Sequence, residues 1–249
     1  YEITADSASQ IAALEYCAVI TGDLDIYDNP ALTNVDALSN LTYVGGELGI
    51  YYNAALANVD GLSILTYVGS YLSISYNAAL ANVDGLSNLT TGDLYIQHND
   101  TLTNVDGLSS LTTLSYLNIT DNAALTNVDG LSNLTDVWND LFISYNDALT
   151  NVDGLSSLTT VGGYLYISYN DALTNVDGLS SLTTVGGYLY IFSNAALTNV
   201  DGLSSLTYVV YDLFIYHNES LCQDSVDDLI AACTIGGSIA ITDNNGTCP

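Results

Sequence analysis

The chain has 249 residues, carries 28 Asp and Glu, and contains no Lys or Arg, for a formal net charge of −28. Nucleic-acid backbones, anionic membrane surfaces and P-loop phosphates are all gripped by the basic side chains it lacks, so those functions are excluded. Apolar residues make up 49% of it, enough for a large core, yet no apolar run reaches the roughly 18–20 residues of a membrane span.

Tyr1 begins the chain and there is no Met, which reads as a processed product whose leader has been removed. Four cysteines in such a chain point to an oxidising, extracellular setting. Residues 1–22 do not share the pattern that follows. Within them SASQIAALEYC reads as a short helix, with Ser7 or Ser9 as its cap and Ile11, Leu14 and Cys17 on its apolar face. Such a cap shields the first rung of a repeat array from water.

From Asp23 onward each rung opens with Leu-x-Ile-x-x-Asn. The aliphatic pairs are Leu24/Ile26, Leu48/Ile50, Leu72/Ile74, Leu94/Ile96, Leu117/Ile119, Leu141/Ile143, Leu165/Ile167, Leu189/Ile191 and Leu213/Ile215, and Ile239/Ile241 closes the series. Their period of two points them inward and their neighbours outward. The triplet Asn-Val-Asp recurs from Asn34, Asn58, Asn82, Asn104, Asn127, Asn151, Asn175 and Asn199, in steps of 24, 24, 22, 23, 24, 24 and 24 residues. A fixed period of that length is the signature of a solenoid. A typical rung adds Leu173, Val176, Leu179, Leu182 and Val185, making seven inward aliphatics. Ten rungs at about 4.8 Å each predict a rod of roughly 50 Å. The two short rungs lose residues at one corner: residues 90–93 read TTGD and residues 112–116 read TTLSY where residues 185–187 read Val-Gly-Gly. Residues 219–232 depart from the repeat, and Val226, Leu229 and Ile230 predict a second small helix before a last strand and an Asn-Asn-Gly turn.

The run Leu-x-Ile-x-x-Asn followed by Leu-x-x-Val-Asp-Gly-Leu-x-x-Leu-Thr resembles the leucine-rich, receptor L-domain-like repeats of secreted and cell-surface proteins. The end segments CAVITGDLDI and CTIGGSIAITDNNGTCP resemble those of the same family, so the resemblance spans essentially the whole chain. It implies a right-handed, all-β solenoid used for recognition or adhesion outside the cell. The expected organisation is a single domain with a cap at residues 1–22, repeats at 23–218 and a disulfide-bearing cap at 219–249. The motif is specific for fold and weak for function, because such scaffolds carry many activities.

In a solenoid, equivalent positions stack into columns. The Asn column (Asn29, Asn53, Asn77, Asn99, Asn122, Asn146, Asn170, Asn194, Asn218, Asn244) is read as structural, its amides bonding backbone groups of the turn and the next rung. The Asp column (Asp36, Asp60, Asp84, Asp106, Asp129, Asp153, Asp177, Asp201) is expected to cap single helical turns, with calcium or other counter-ions on its carboxylates as the alternative. No cofactor is otherwise implied. The outward strand positions hold Tyr27, Tyr51, Tyr52 and Tyr76, and a denser set formed by Tyr71, Tyr95, Tyr116, Phe142, Tyr145, Tyr164, Tyr166, Tyr169, Tyr188, Tyr190, Phe192, Phe214 and Tyr216. These rings are either cross-strand ladders or a binding face for a surface protein or glycan, and both readings can hold.

No enzyme is expected. His98 and His217 share a column but stand five rungs apart, roughly 24 Å, too far for a dyad. Carboxylate pairs such as Asp25 and Asp28 are repeated by the array, so none stands out. Cys222 and Cys248 lie four residues after Asn218 and Asn244, in equivalent places of successive rungs, which predicts a disulfide. Cys17 and Cys233 are left at opposite ends, as buried thiols or as links between chains. Asn40, Asn88, Asn99, Asn118, Asn133, Asn218 and Asn245 begin Asn-x-Ser/Thr sequons; Asn40, Asn88 and Asn133 share one corner column and are the candidate glycosylation acceptors, whereas Asn99 and Asn218 face inward. The functional expectation is a non-enzymatic extracellular adhesion or recognition module, with a self-assembling subunit of a fibre or surface layer as the alternative.

Overall fold

Alternating Leu and Ile make one short strand per rung, and the strands stack in parallel into a sheet of eleven. The computed structural model describes residues 3–5, 8–90 and 92–248. Register is one to one: Leu141, Leu165 and Leu189 stand in line, as do Ile143, Ile167 and Ile191. From Leu24 to Ile215 these aliphatics are at most 1% exposed. The sheet has one strand more than the ten expected. Ile3–Ala5, inside the segment read as a cap without repeats, pairs with Leu24–Ile26 and covers the edge that the first rung would otherwise present. Three residues are too few to show a period.

The first helix, α1 (Ala8–Ala12), is shorter than SASQIAALEYC predicts, and the chain then continues in tight turns, with Leu14 N–H on Ile11 C=O at 3.0 Å and Cys17 N–H on Leu14 C=O at 2.8 Å. Ser9 lies inside the helix, so it does not precede it as a cap; Ser7 lies outside the described residues. Ile11 is buried on the core, with Leu14 and Cys17 partly buried beside it.

Each rung has three sides. After the strand the chain turns through a residue of positive φ, between 53° and 57° in all ten rungs, and these residues are Asp28, Tyr52, Tyr76, His98, Asp121, Tyr145, Tyr169, Ser193, His217 and Asp243. That turn sends the next residue, Asn, into the core. From Asn53 to Asn218 the column has no exposed surface. Asn170 Oδ1 accepts the backbone N–H of Asn146 at 3.1 Å and its amide Nδ2 at 3.4 Å, while Asn170 Nδ2 donates to Ile143 C=O at 3.0 Å. The same triad recurs along the column, so no inward amide is left without a partner at this corner.

The second side is a 3-10 turn, Asp177–Leu179 in the typical rung. Here the expectation for the Asp column is corrected. The aspartates are the first residues of these turns and make no side-chain cap; the cap is Asn175, two residues earlier, whose Oδ1 accepts Asp177 N–H at 3.0 Å. Every Asn of the Asn-Val-Asp triplets does this. The glycine after Asp is required by the stacking. A Cβ on Gly178 would stand 1.8 Å from Val152 O of the rung before it. Ala37 fills that place only in the first such turn, which has no earlier one beneath it.

The third side is a ladder of two-residue strands, such as Thr160–Val161 and Thr184–Val185, that the periodicity did not predict. Among the described residues it forms runs of three and six strands, and the interval between the runs falls at the 22-residue step.

The far end is closed by α2 (Gln223–Ala232), which buries Val226 and Leu229, with Ile230 partly buried. Cys222 and Cys248 are joined by a disulfide with their Cα atoms 4.9 Å apart. Cys17 is half-buried and Cys233 is buried, both as free thiols. In the last strand, Ile239–Thr242, the expected inward pair is not enclosed: Ile239 is 46% exposed, because no described strand stacks beyond it.

Candidate functional site: the aromatic sheet face

Side chains flanking Leu and Ile must point away from the core, and successive rungs set them about 4.8 Å apart. Rings in that arrangement meet. One line of seven crosses seven rungs: Tyr71, Tyr95, Tyr116, Phe142, Tyr166, Tyr190 and Phe214, with successive centroids 5.5, 4.9, 5.6, 5.5, 5.2 and 4.7 Å apart. Phe192 joins it through Tyr166 at 5.1 Å and leads to Tyr216 at 4.7 Å and Tyr169 at 5.3 Å. Tyr169 stacks on Tyr145 at 4.4 Å, and Tyr188 links Tyr164 and Tyr190 at 5.1 and 5.8 Å. All thirteen residues of the denser sequence-derived set therefore form one connected cluster.

The structure refines their placement. Tyr145 and Tyr169, with Tyr52 and Tyr76, sit at the positive-φ turn and not on strands. Their rings project at the rim, 44% and 38% exposed for Tyr145 and Tyr169, and Tyr164 at the opposite rim is 39% exposed. Phe192 is 5% exposed, so it belongs to the structure beneath the face. Tyr27, Tyr51, Tyr52 and Tyr76 form a second group ending on His98, whose ring stacks on Tyr76 at 4.3 Å. Sequence reading missed three members of the surface: His98, His217 beside Tyr216 at 5.3 Å, and Tyr211 beside Tyr188 at 5.3 Å. For the histidines the available signal was their shared column with the rim tyrosines.

The face is electrostatically one-sided. Tyr71 is held above the usual tyrosine range first by its hydrogen bond to Glu47 and then by burial. Tyr95, Tyr116, Tyr166, Tyr190 and Tyr216 are raised chiefly by burial against neighbouring rings. The hydroxyls are therefore neutral donors at physiological pH. The two histidines each face the carboxylate of the next rung, His98 Nε2 at 3.7 Å from Asp121 Oδ2 and His217 Nδ1 at 3.2 Å from Asp243 Oδ2. They stay five rungs apart. Among the described residues one group has metal-ligand types in reach of one another, Cys222, Asp224 and Cys248, and the disulfide takes both of its sulfurs. The Asp column stands exposed along one side, with Asp201 Oδ1 accepting Ser225 Oγ at 2.6 Å. The sequon residues Asn40, Asn88 and Asn133 are exposed, and each amide donates to a carbonyl of the preceding rung, at 2.7, 2.7 and 2.8 Å.

A parallel-stranded solenoid with an Asn corner and end caps matches a known family: the receptor L domain model covers residues 2–107 and 135–227. The chain belongs to the receptor L domain family. Receptor L domains are ligand-binding modules of receptor ectodomains, without enzymatic activity. In this receptor L domain chain the two matched segments share one uninterrupted sheet, since Asp93–Gln97, Leu117–Thr120 and Leu141–Ser144 pair in sequence across the interval between them. No curated protein matches the chain. No helix among the described residues is long and apolar enough to cross a membrane.

Proposed function

We propose that the aromatic face is an extracellular recognition surface for a protein partner, engaged through its rim tyrosines. The observation that carries this reading is the connected cluster of thirteen rings on one face, with Tyr145, Tyr164 and Tyr169 each more than a third exposed. Tyrosine offers a large rigid apolar body with a polar tip, which suits a contact surface that must also stay soluble. Membership of a ligand-binding ectodomain family supports the same reading. With a formal charge of −28 and no basic side chain, the partner is expected to present a basic or neutral surface. The test is binding of the labelled chain to arrays of secreted proteins and, separately, of glycans. Saturable capture by proteins, lost when Tyr145, Tyr164 and Tyr169 become Ser, supports the proposal; capture by glycans alone moves the ligand to another class, and binding indifferent to the three substitutions rejects the face.

A second reading, self-assembly, is favoured by the last strand, whose edge and Ile239 are uncovered. Negative-stain microscopy and a non-reducing gel decide it: fibres or multimer ladders support it, and a uniform monomeric rod sets it aside.

A further inference from the structure

Along one border of the aromatic face, the residue that precedes each inward Leu is a carboxylate and a ring in turn. Down successive rungs this column reads Glu47, Tyr71, Asp93, Tyr116, Asp140 and Tyr164. The ladder puts them in line: Leu48 stands on Leu72, Tyr71 pairs with Asp93, and the carbonyls of Tyr116, Asp140 and Tyr164 accept the N–H groups of Leu94, Leu117 and Leu141. None of the six is buried. The carboxylates are also held in position by the next rung. Asp93 Oδ1 accepts Tyr116 N–H at 3.1 Å, Asp140 Oδ1 accepts Tyr164 N–H at 2.8 Å, and Glu47 takes the Tyr71 hydroxyl. Each carboxylate keeps further lone pairs for a partner, and the chain has no Lys or Arg to occupy them.

We propose that this column docks a proline-rich protein segment in the polyproline II conformation, with an Arg or Lys at every third residue. The inference rests on the aromatic face having a protein partner and names that partner's chemistry. Charge selects a cationic segment, since an anionic one is repelled by the column and by the whole chain. Spacing selects its conformation. Glu47, Asp93 and Asp140 stand two rungs apart, about 9.6 Å. A polyproline II helix returns a side chain to the same side every three residues, about 9.3 Å on, so three successive contacts drift by only about 0.6 Å. Same-face residues of a β-strand recur every 6.6 Å or so and miss the middle carboxylate. Two turns of α-helix rise about 10.8 Å, which drifts by about 2.4 Å over the same three contacts. Tyr71, Tyr116 and Tyr164 fill the intervals with rings, on which prolines and cationic side chains both pack.

Fluorescence anisotropy of labelled oligoprolines with the intact chain, at about 0.15 M salt, tests this. A probe with Arg at every third position should bind saturably, and about tenfold more tightly than a probe of the same composition whose Arg residues are consecutive at one end. Combining Asp93→Asn with Asp140→Asn keeps an acceptor for both backbone N–H groups and should weaken binding of the spaced probe about tenfold, with circular dichroism unchanged. Combining Asp153→Asn with Asp177→Asn removes the same charge from exposed positions on another side and should leave binding as it was. Equal binding of the clustered probe, equal loss in the two double variants, or no saturable binding of the spaced probe would each overturn the proposal. If secreted proteins are still captured through Tyr145, Tyr164 and Tyr169 after such a result, the face keeps its role and this class of segment alone is rejected.

Discussion

At the scale of single residues, the asparagine corner carries more structural duty than any other position. From Asn53 onward each inward Asn satisfies a backbone N–H of the previous rung through its Oδ1 and a backbone carbonyl through its Nδ2. Removing Asn146 strands Asn122 N–H and Ile119 C=O in a site without exposed surface. At about 1–3 kcal/mol for each buried group left unpaired, Asn146→Ala should cost roughly 2–5 kcal/mol. A urea titration followed by circular dichroism checks this, and an unchanged midpoint would contradict the role given to the column. This corner was legible because a polar residue recurring ten times beside core aliphatics has few uses other than bonding backbone. The neighbouring Asp column was misread because Asn and Asp recur together in Asn-Val-Asp, and both residue types favour turn starts. Only geometry separates them: the side chain that reaches the Asp N–H belongs to Asn. Gly178 had a clear sequence signal, in that Ala replaces it solely at Ala37, but its cause lies in the rung beneath.

At the scale of the element, the strand with its two flanking positions is what places rings on the face. Alternation made the Leu and Ile columns legible and put the aromatics outward. It did not show that the residue before each Asn takes positive φ, which moves Tyr145 and Tyr169 off the strand and out to the rim. Asp or His at Asp28, His98, Asp121, His217 and Asp243 was the available hint, since those types tolerate that conformation. The sheet also makes a prediction about pH. For Tyr71, Tyr95, Tyr116, Tyr166, Tyr190 and Tyr216 the folded state holds the proton more firmly than the unfolded chain does. A folded pKa raised above the unfolded value stabilises fully below the model-peptide value of 10.0 and is lost as pH climbs above it. Stability measured by denaturant titration should therefore fall above about pH 10, together with the rise of tyrosinate absorbance. Tyrosinate appearing in full before any loss of stability would contradict the half-buried placement of these rings.

At the scale of the whole molecule, the period was enough to give the solenoid, because each rung buries its seven aliphatics only against its neighbours. The two-residue ladder and the three-residue strand Ile3–Ala5 were not legible, since neither is long enough to carry a pattern of its own. The same regular stacking sets like charges in columns. Eight aspartates one rung apart repel by about 1 kcal/mol per neighbouring pair even at the dielectric of water, and no cation of the chain relieves them. Raising sodium chloride from about 0.01 M to about 0.5 M should raise the melting temperature by several degrees, as the Debye length falls below the rung spacing. A melting temperature independent of salt would show that the columns are already neutralised by other means.

The central claim is that the aromatic face is a surface for a partner and not merely a set of ladders. The deciding measurement is the affinity of a protein ligand, once captured, for three chains compared in one interferometry experiment: the native chain, the Tyr145, Tyr164 and Tyr169→Ser chain, and a Tyr208→Ser control exposed on the short ladder. The triple substitution is expected to weaken binding by about 100-fold while the control binds as the native chain does, since tyrosines that anchor an interface cost about 1 kcal/mol or more each. Equal affinity for all three chains, with folding intact, would contradict it.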